Sequence, residues 1–154
     1  MKKFVPILIF IVISFVAGYF SMLLQGDSLA AWYPTLVKSS LTPPGYVFSI
    51  AWGILYLLMG TAAGLVWSMR TTFSWVLTGM FFVQLCLNVL WSFCFFYLQS
   101  PIFGFAALLL LILFLVVYIS GCYIQNQLSA YLNIPYLLWL LFAAYLNGYV
   151  LFNN

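Results

Sequence analysis

The chain has 154 residues, of which 68% are hydrophobic and 21% aromatic, against four Lys or Arg, one acidic residue (Asp27) and no histidine. A water-soluble domain keeps about a quarter of its residues charged; with 3% charged and a mean hydropathy of +1.21, the solvent that suits this surface is lipid. The same scarcity excludes paired-carboxylate and histidine acid–base catalysis, and the scattered Cys86, Cys94 and Cys122 offer no metal site without histidine beside them.

Five apolar stretches are long enough to cross a hydrocarbon core that needs ~20 residues per helix. They predict an all-α membrane protein, a bundle of five transmembrane helices forming one domain over residues 1–154. The alternating pattern of a β-barrel strand is absent. The first span, Phe4–Gln25, follows Lys2 and Lys3 and precedes Ser28-Leu29-Ala30, which imitates a cleaved secretory leader. Its apolar run exceeds a leader's core of about 7–15 residues, which favours a retained helix; N-terminal sequencing separates the two readings.

The segment Gly26–Pro44 that follows carries its own aromatic residues and is read as a lid over one end of the bundle. Pro43-Pro44 stiffen its junction with the second span. That span, Gly45–Ser68, places Phe48, Trp52, Leu55 and Met59 on one face. Gly60-x-x-x-Gly64 within it suits close helix contact, either inside the chain or between two copies.

The third span, Phe73–Leu98, holds Gln84, Asn88, Trp91 and Phe95 at intervals of four, three and four residues, an arc of about 60° on one helix face. Buried amides in lipid need partners, so this stripe either bonds neighbouring helices or faces a ligand. Trp91 lies deep in the span, and its N–H needs an acceptor.

The fourth span, Ile102–Ile124, starts after Pro101, and the fifth, Ile134–Phe152, has Pro135 in its first turn, where a missing N–H costs least. Trp139, Ala143, Leu146 and Val150 share one face of the fifth. Counted from the helix ends, Trp52 is shallow and Trp139 starts from the opposite side, so the two indoles are not expected to be level. Trp32, Trp67 and Trp75, near predicted ends, read as an interfacial belt, and the three cysteines as buried structural thiols. Lys2, Lys3 and Arg70 fall at one side and Lys38 at the other, which predicts a cytoplasmic N-terminus and an external C-terminus. No span contains Asp or Glu, so proton-coupled transport lacks its usual carboxylate.

The ordered set Trp32-Tyr33-Pro34, Leu36, Lys38, Pro43-Pro44, Phe48, Trp52, Leu55-Tyr56, Met59-Gly60, Gln84, Leu87-Asn88, Trp91-Ser92, Phe95-Phe96, Pro135-Tyr136, Trp139, Ala143 and Leu146-Asn147 resembles the TspO/MBR family. This is the family of tryptophan-rich sensory proteins, translocator proteins and peripheral benzodiazepine receptors. The resemblance runs over nearly the whole chain. It implies a five-helix bundle, commonly a homodimer, in a bacterial cell membrane. Its pocket binds porphyrins such as protoporphyrin IX, and isoquinoline or benzodiazepine ligands, under the first loop.

Carried over position by position, the pocket comprises Tyr33, Pro43, Trp52, Asn88, Trp91, Trp139, Ala143 and Leu146, with Trp52 and Trp139 as indole donors. For some bacterial members the resemblance also implies light- and oxygen-dependent porphyrin breakdown, in which Trp52 and Trp139 take the catalytic part. No cofactor is required. The expected partners are apolar small molecules and lipid, not nucleic acid; uncoupled transport and ligand-responsive sensing remain alternatives. Lys38-Ser39-Ser40-Leu41 departs from the family's frequent Lys-Pro-Ser-Trp and predicts a looser lid. Tyr149 has no Lys or Arg after it, which disfavours high-affinity cholesterol binding.

Overall fold

The computed structural model describes residues 4–154, and among them every regular element is helical. Lys2 and Lys3, on which part of the orientation argument rests, lie outside the described residues. Lipid supplies no hydrogen-bond partners, so each span must satisfy its backbone internally, which only long helices do here. The helices are α1 (Phe4–Gln25), α2 (Ser28–Ala31), α3 (Gly45–Trp67), α4 (Thr72–Ser92), α5 (Pro101–Gln125) and α6 (Gln127–Asn153). Five of them, with α4 extended by one π-helical turn over Phe93–Tyr97, are long and apolar enough to cross a membrane.

These five close into a ring in which α1 packs on α3 and α4, α6 on α3 and α5, and α5 on α4. Away from the lid the packing is tight. A Cβ on Gly60 or Gly64 would collide with the α1 backbone at Ile11 and Ile7 respectively. The small-residue motif is thus consumed inside the chain. Phe10 fills the adjoining space, edge-on to Phe81 at 5.3 Å and tilted on Trp67 at 5.7 Å. Trp67 in turn meets Trp75 edge-to-face at 4.2 Å.

The short connections are fixed by local capping. Thr71 Oγ1 accepts from Ser74 N–H and Ser74 Oγ from Thr71 N–H, a reciprocal box that starts α4. Asn126 is the single residue between α5 and α6, and its side chain accepts from Ser129 N–H. The fifth span therefore begins at Gln127, well before the expected Ile134, and Pro135 is interior to α6. A proline was read as a start where an Asn cap, followed by a polar first turn, already provides one. Interior proline is tolerated in membrane helices because neighbouring groups re-satisfy the freed carbonyl.

The cysteine expectation also needs correction. Cys122 is buried, but Cys94 is half-buried and Cys86 is exposed.

Candidate functional site

The end of the bundle under the Gly26–Pro44 segment is hollow. The segment itself is ordered into α2 and a single 3-10 turn, Tyr33–Thr35. The lid is tied down at several points. Lys38 Nζ folds back to donate to the carbonyls of Tyr33 (2.8 Å), Leu36 (3.1 Å) and Pro34 (3.2 Å), 5.0 Å from the Tyr33 ring centre. Ser39 Oγ lies 3.0 Å from Tyr145 Oη, and Asn154 brackets Val37, accepting from its N–H at 2.9 Å and donating to its carbonyl at 3.1 Å.

A further tie comes from the π turn. Leu98 N–H reaches Phe93 O at 2.9 Å, five residues back. The same pattern would pair Phe96 O with residue 101, but Pro101 has no N–H to give. Ser28 Oγ in the lid donates to that carbonyl instead, at 2.8 Å. The widened turn also sets Phe95 and Phe96 edge-to-face at 4.9 Å, and both lid aromatics, Trp32 and Tyr33, pack on Phe95. Burial raises the Tyr33 phenol above its ordinary pKa, which keeps it a neutral hydroxyl.

Beneath the lid is a partly enclosed cavity of about 730 Å³. All eight residues carried over from the resemblance line it: Tyr33 and Pro43 from the lid, Trp52 from α3, Asn88 and Trp91 from α4, and Trp139, Ala143 and Leu146 from α6. Tyr56 and Asn88 line its floor and are hydrogen-bonded in a set of three with Tyr136 behind them. Tyr56 Oη donates to Asn88 Oδ1 at 3.2 Å, and Asn88 Nδ2 donates to Tyr136 Oη at 3.1 Å. Asn88 is 1% exposed, so both ends of its amide hold α3 and α6 together as well as facing the cavity.

Aromatic rings form the walls. Trp52 stacks on Tyr56 at 5.5 Å and tilts against Trp91 at 6.1 Å, and Trp91 stacks on Phe95 at 6.2 Å. The register of α3 against α6 follows from two contacts, Phe48 on Trp139 (5.6 Å) and Trp52 on Tyr136 (6.1 Å). The helices run antiparallel, so Trp139 lies about one turn nearer the lid than Trp52. The indoles are therefore not level, in keeping with the sequence expectation, although that expectation starts the last span at Ile134 and sets Trp139 near a helix end. With α6 starting at Gln127, Trp139 is mid-helix, and α6 overshoots α3 to reach Val37 in the lid.

Several polar groups on this wall are buried without a protein partner: Trp91 Nε1, Trp139 Nε1 and both amide atoms of Asn147. A buried unpaired donor is costly in an apolar medium. The three N–H-bearing groups are therefore suited to a ligand that brings acceptors, and Asn147 Oδ1 to one that brings a donor. Tyr56, Asn147, and Phe15 and Met22 of α1 also line the cavity and were not among the expected site residues. Tyr56 follows Trp52 by one turn, and an Asn inside a membrane span was itself a signal for Asn147. In α1 the available signal was Ser14, Gly18, Ser21 and Gln25, spaced by four, three and four residues on one face; Ser14 and Ser21 are buried, and Gly18, Ser21 and Gln25 line the cavity.

Among the described residues no three His, Cys, Asp or Glu side chains lie together as a metal site would need. The sequence profile described as the TspO/MBR family matches residues 9–152. Over 125 residues the chain is 39% identical to a tryptophan-rich protein TspO of Chlorobaculum tepidum, covering 79% of each chain. It is 34% identical over 147 residues to the protein of that name from Archaeoglobus fulgidus, covering 96% of this chain and 93% of the other. With the human translocator protein it shares 35% identity over 130 residues, 82% of this chain and 76% of the relative.

Proposed function

The chain belongs to the TspO/MBR family of integral membrane proteins, and from that premise we propose that it binds a flat, largely apolar ligand of the porphyrin class, with protoporphyrin IX as the reference compound, in the cavity under its lid. The observation that carries this reading is the pairing of aromatic walls with unpartnered indole donors in one cavity. A volume of about 730 Å³ falls within the ~300–1,000 Å³ usual for small-molecule sites, which hold a few placed polar groups in an apolar lining. Isoquinoline and benzodiazepine compounds, with one carbonyl between flat rings, suit the same donors.

Titration of the purified protein with protoporphyrin IX, followed by quenching of tryptophan emission, tests the reading. Saturable quenching is expected, weakened about tenfold by Trp52→Phe or Trp139→Phe through loss of one donor each. Quenching that never saturates overturns it.

The wall has no acid–base residues, so any chemistry must come from the ligand. A bound porphyrin absorbs light and dioxygen is the oxidant; Trp52 and Trp139 are the oxidisable side chains held against it. In air and light the porphyrin absorbance is expected to fall. If both Phe variants lose it at the wild-type rate, the tryptophans have no part in the photochemistry, while binding stands separately. Arg70 at the far end and Lys38 in the lid favour a cytoplasmic far end in a bacterial membrane, which a reporter enzyme fused after Asn154 would check by staying silent inside the cell.

A further inference from the structure

Asn147 is the polar residue of the cavity whose state its surroundings explain least. It is 3% exposed, lines the cavity, and neither its Nδ2 nor its Oδ1 has a partner. Other asparagines of α6 and its end solve the same problem locally. Asn133, Asn153 and Asn154 each donate to the carbonyl four residues earlier, at 2.7, 2.8 and 2.9 Å. Asn147 does not take that bond. Behind it stands Gly104, where a Cβ would lie 3.1 Å from Asn147 Nδ2 and 2.8 Å from Phe95 Cβ. The first turn of α5 thus leaves room for an amide that has neither protein partner nor solvent, in a residue that lines the cavity.

Depth gives the amide a distinct task. Asn147 is eight residues beyond Trp139 on α6, about 12 Å towards the lid at 1.5 Å per residue. The indoles of Trp139 and Trp52 serve the deeper part of the cavity, and Asn147 serves the part just beneath the lid. We propose that Asn147 anchors the ligand by donating Nδ2–H to an oxygen of a carboxylate or carbonyl substituent held under the lid, so that it selects ligands carrying such a group at the end opposite the indoles. This rests on the porphyrin-binding reading and assigns the peripheral carboxylates of protoporphyrin IX to the lid end.

The experiment compares protoporphyrin IX with its dimethyl ester on wild type, Asn147→Leu and Asn147→Asp, by quenching. A hydrogen bond to a charged acceptor exceeds one to a neutral ester. Wild type is therefore expected to prefer the free acid, and Asn147→Leu to weaken it by about tenfold while moving the ester by less than about threefold. Asn147→Asp, of nearly the same shape, is expected to repel the acid and retain the ester. Equal losses for both porphyrins, or no loss for either, overturn the anchor.

The ligand-free protein supplies a second readout. Removing an unpartnered buried amide leaves thermal stability of Asn147→Leu unchanged or raised; a drop of several degrees means that the amide holds the fold and overturns the anchor. If wild type binds neither porphyrin, the porphyrin reading fails. The probe then becomes an isoquinoline carboxamide, for which Asn147→Leu is again expected to lose about tenfold; equal affinity, or no binding by wild type, overturns the anchor as well.

Discussion

Helix α3 carries small residues at both ends, and the two ends do opposite things. Towards its C-terminus Gly60 and Gly64 are pressed against α1, where a Cβ on Gly60 would sit 2.8 Å from the Phe10 carbonyl carbon and one on Gly64 2.9 Å from Ile7 Cγ1. Towards its N-terminus a Cβ on Gly45 or Gly53 would find nothing within 4 Å, and both glycines line the cavity. One end uses the missing side chain to close two helices together. The other uses it to leave space. A glycine in a membrane helix is therefore not by itself a contact motif; what stands opposite decides its role.

The largest expected effect comes from breaking the closed end. Gly60→Val or Gly64→Val drives a branched side chain into backbone, which cannot rotate away. A loss of about 3 kcal/mol is expected, seen as a lowered melting temperature in detergent; an unchanged melt would mean that α1 does not pack there. Next is the boundary between the two ends. Asn88→Leu leaves the Tyr56 and Tyr136 hydroxyls without their shared partner, for an expected loss of about 2 kcal/mol. If the melt is unaffected and only ligand affinity falls, the floor is a ligand site alone and not a fastening of α3 to α6.

Effects at the open end should appear in ligand kinetics before stability. Lys38→Met removes the donor to three lid carbonyls, and release of a bound porphyrin is expected to quicken by about tenfold, the consequence of about 1.4 kcal/mol at the lid. Stopped-flow displacement measures it; an unchanged rate implies that ligand release does not pass through the lid. Gly53→Ala is the mildest. The methyl meets no atom, so stability should stay level or rise by less than about 1 kcal/mol, while ligand affinity falls as the cavity shrinks. A destabilised Gly53→Ala would erase the contrast with Gly60.

The five spans, their apolar faces and the amide-indole stripe of α4 were legible because lipid forces a simple code of long apolar helices punctuated by caps. The eight expected site residues all line one cavity because motif order along the chain carries them. Sequence counting misjudged the start of α6 through one residue, Pro135, which marks a helix start in most contexts but here lies inside the helix. Its consequence is that Trp139 lies mid-helix rather than near a helix end. The π turn at Phe93–Tyr97 and the lid's tie through Ser28 to Phe96 O carried no local signature either.

Composition by itself determined that this chain lives in lipid, that it carries no histidine and a single acidic residue, and that its buried amides and indoles must find partners. Family membership adds the five-helix bundle. Only the tertiary structure decided which polar groups had already found those partners and which had not. Asn88 is satisfied between two tyrosines, and Asn147, Trp91 and Trp139 are left over. The physical reason is that hydrogen-bond satisfaction is a property of neighbours brought together from distant parts of the chain, whereas the cost of burying a polar group belongs to the residue alone.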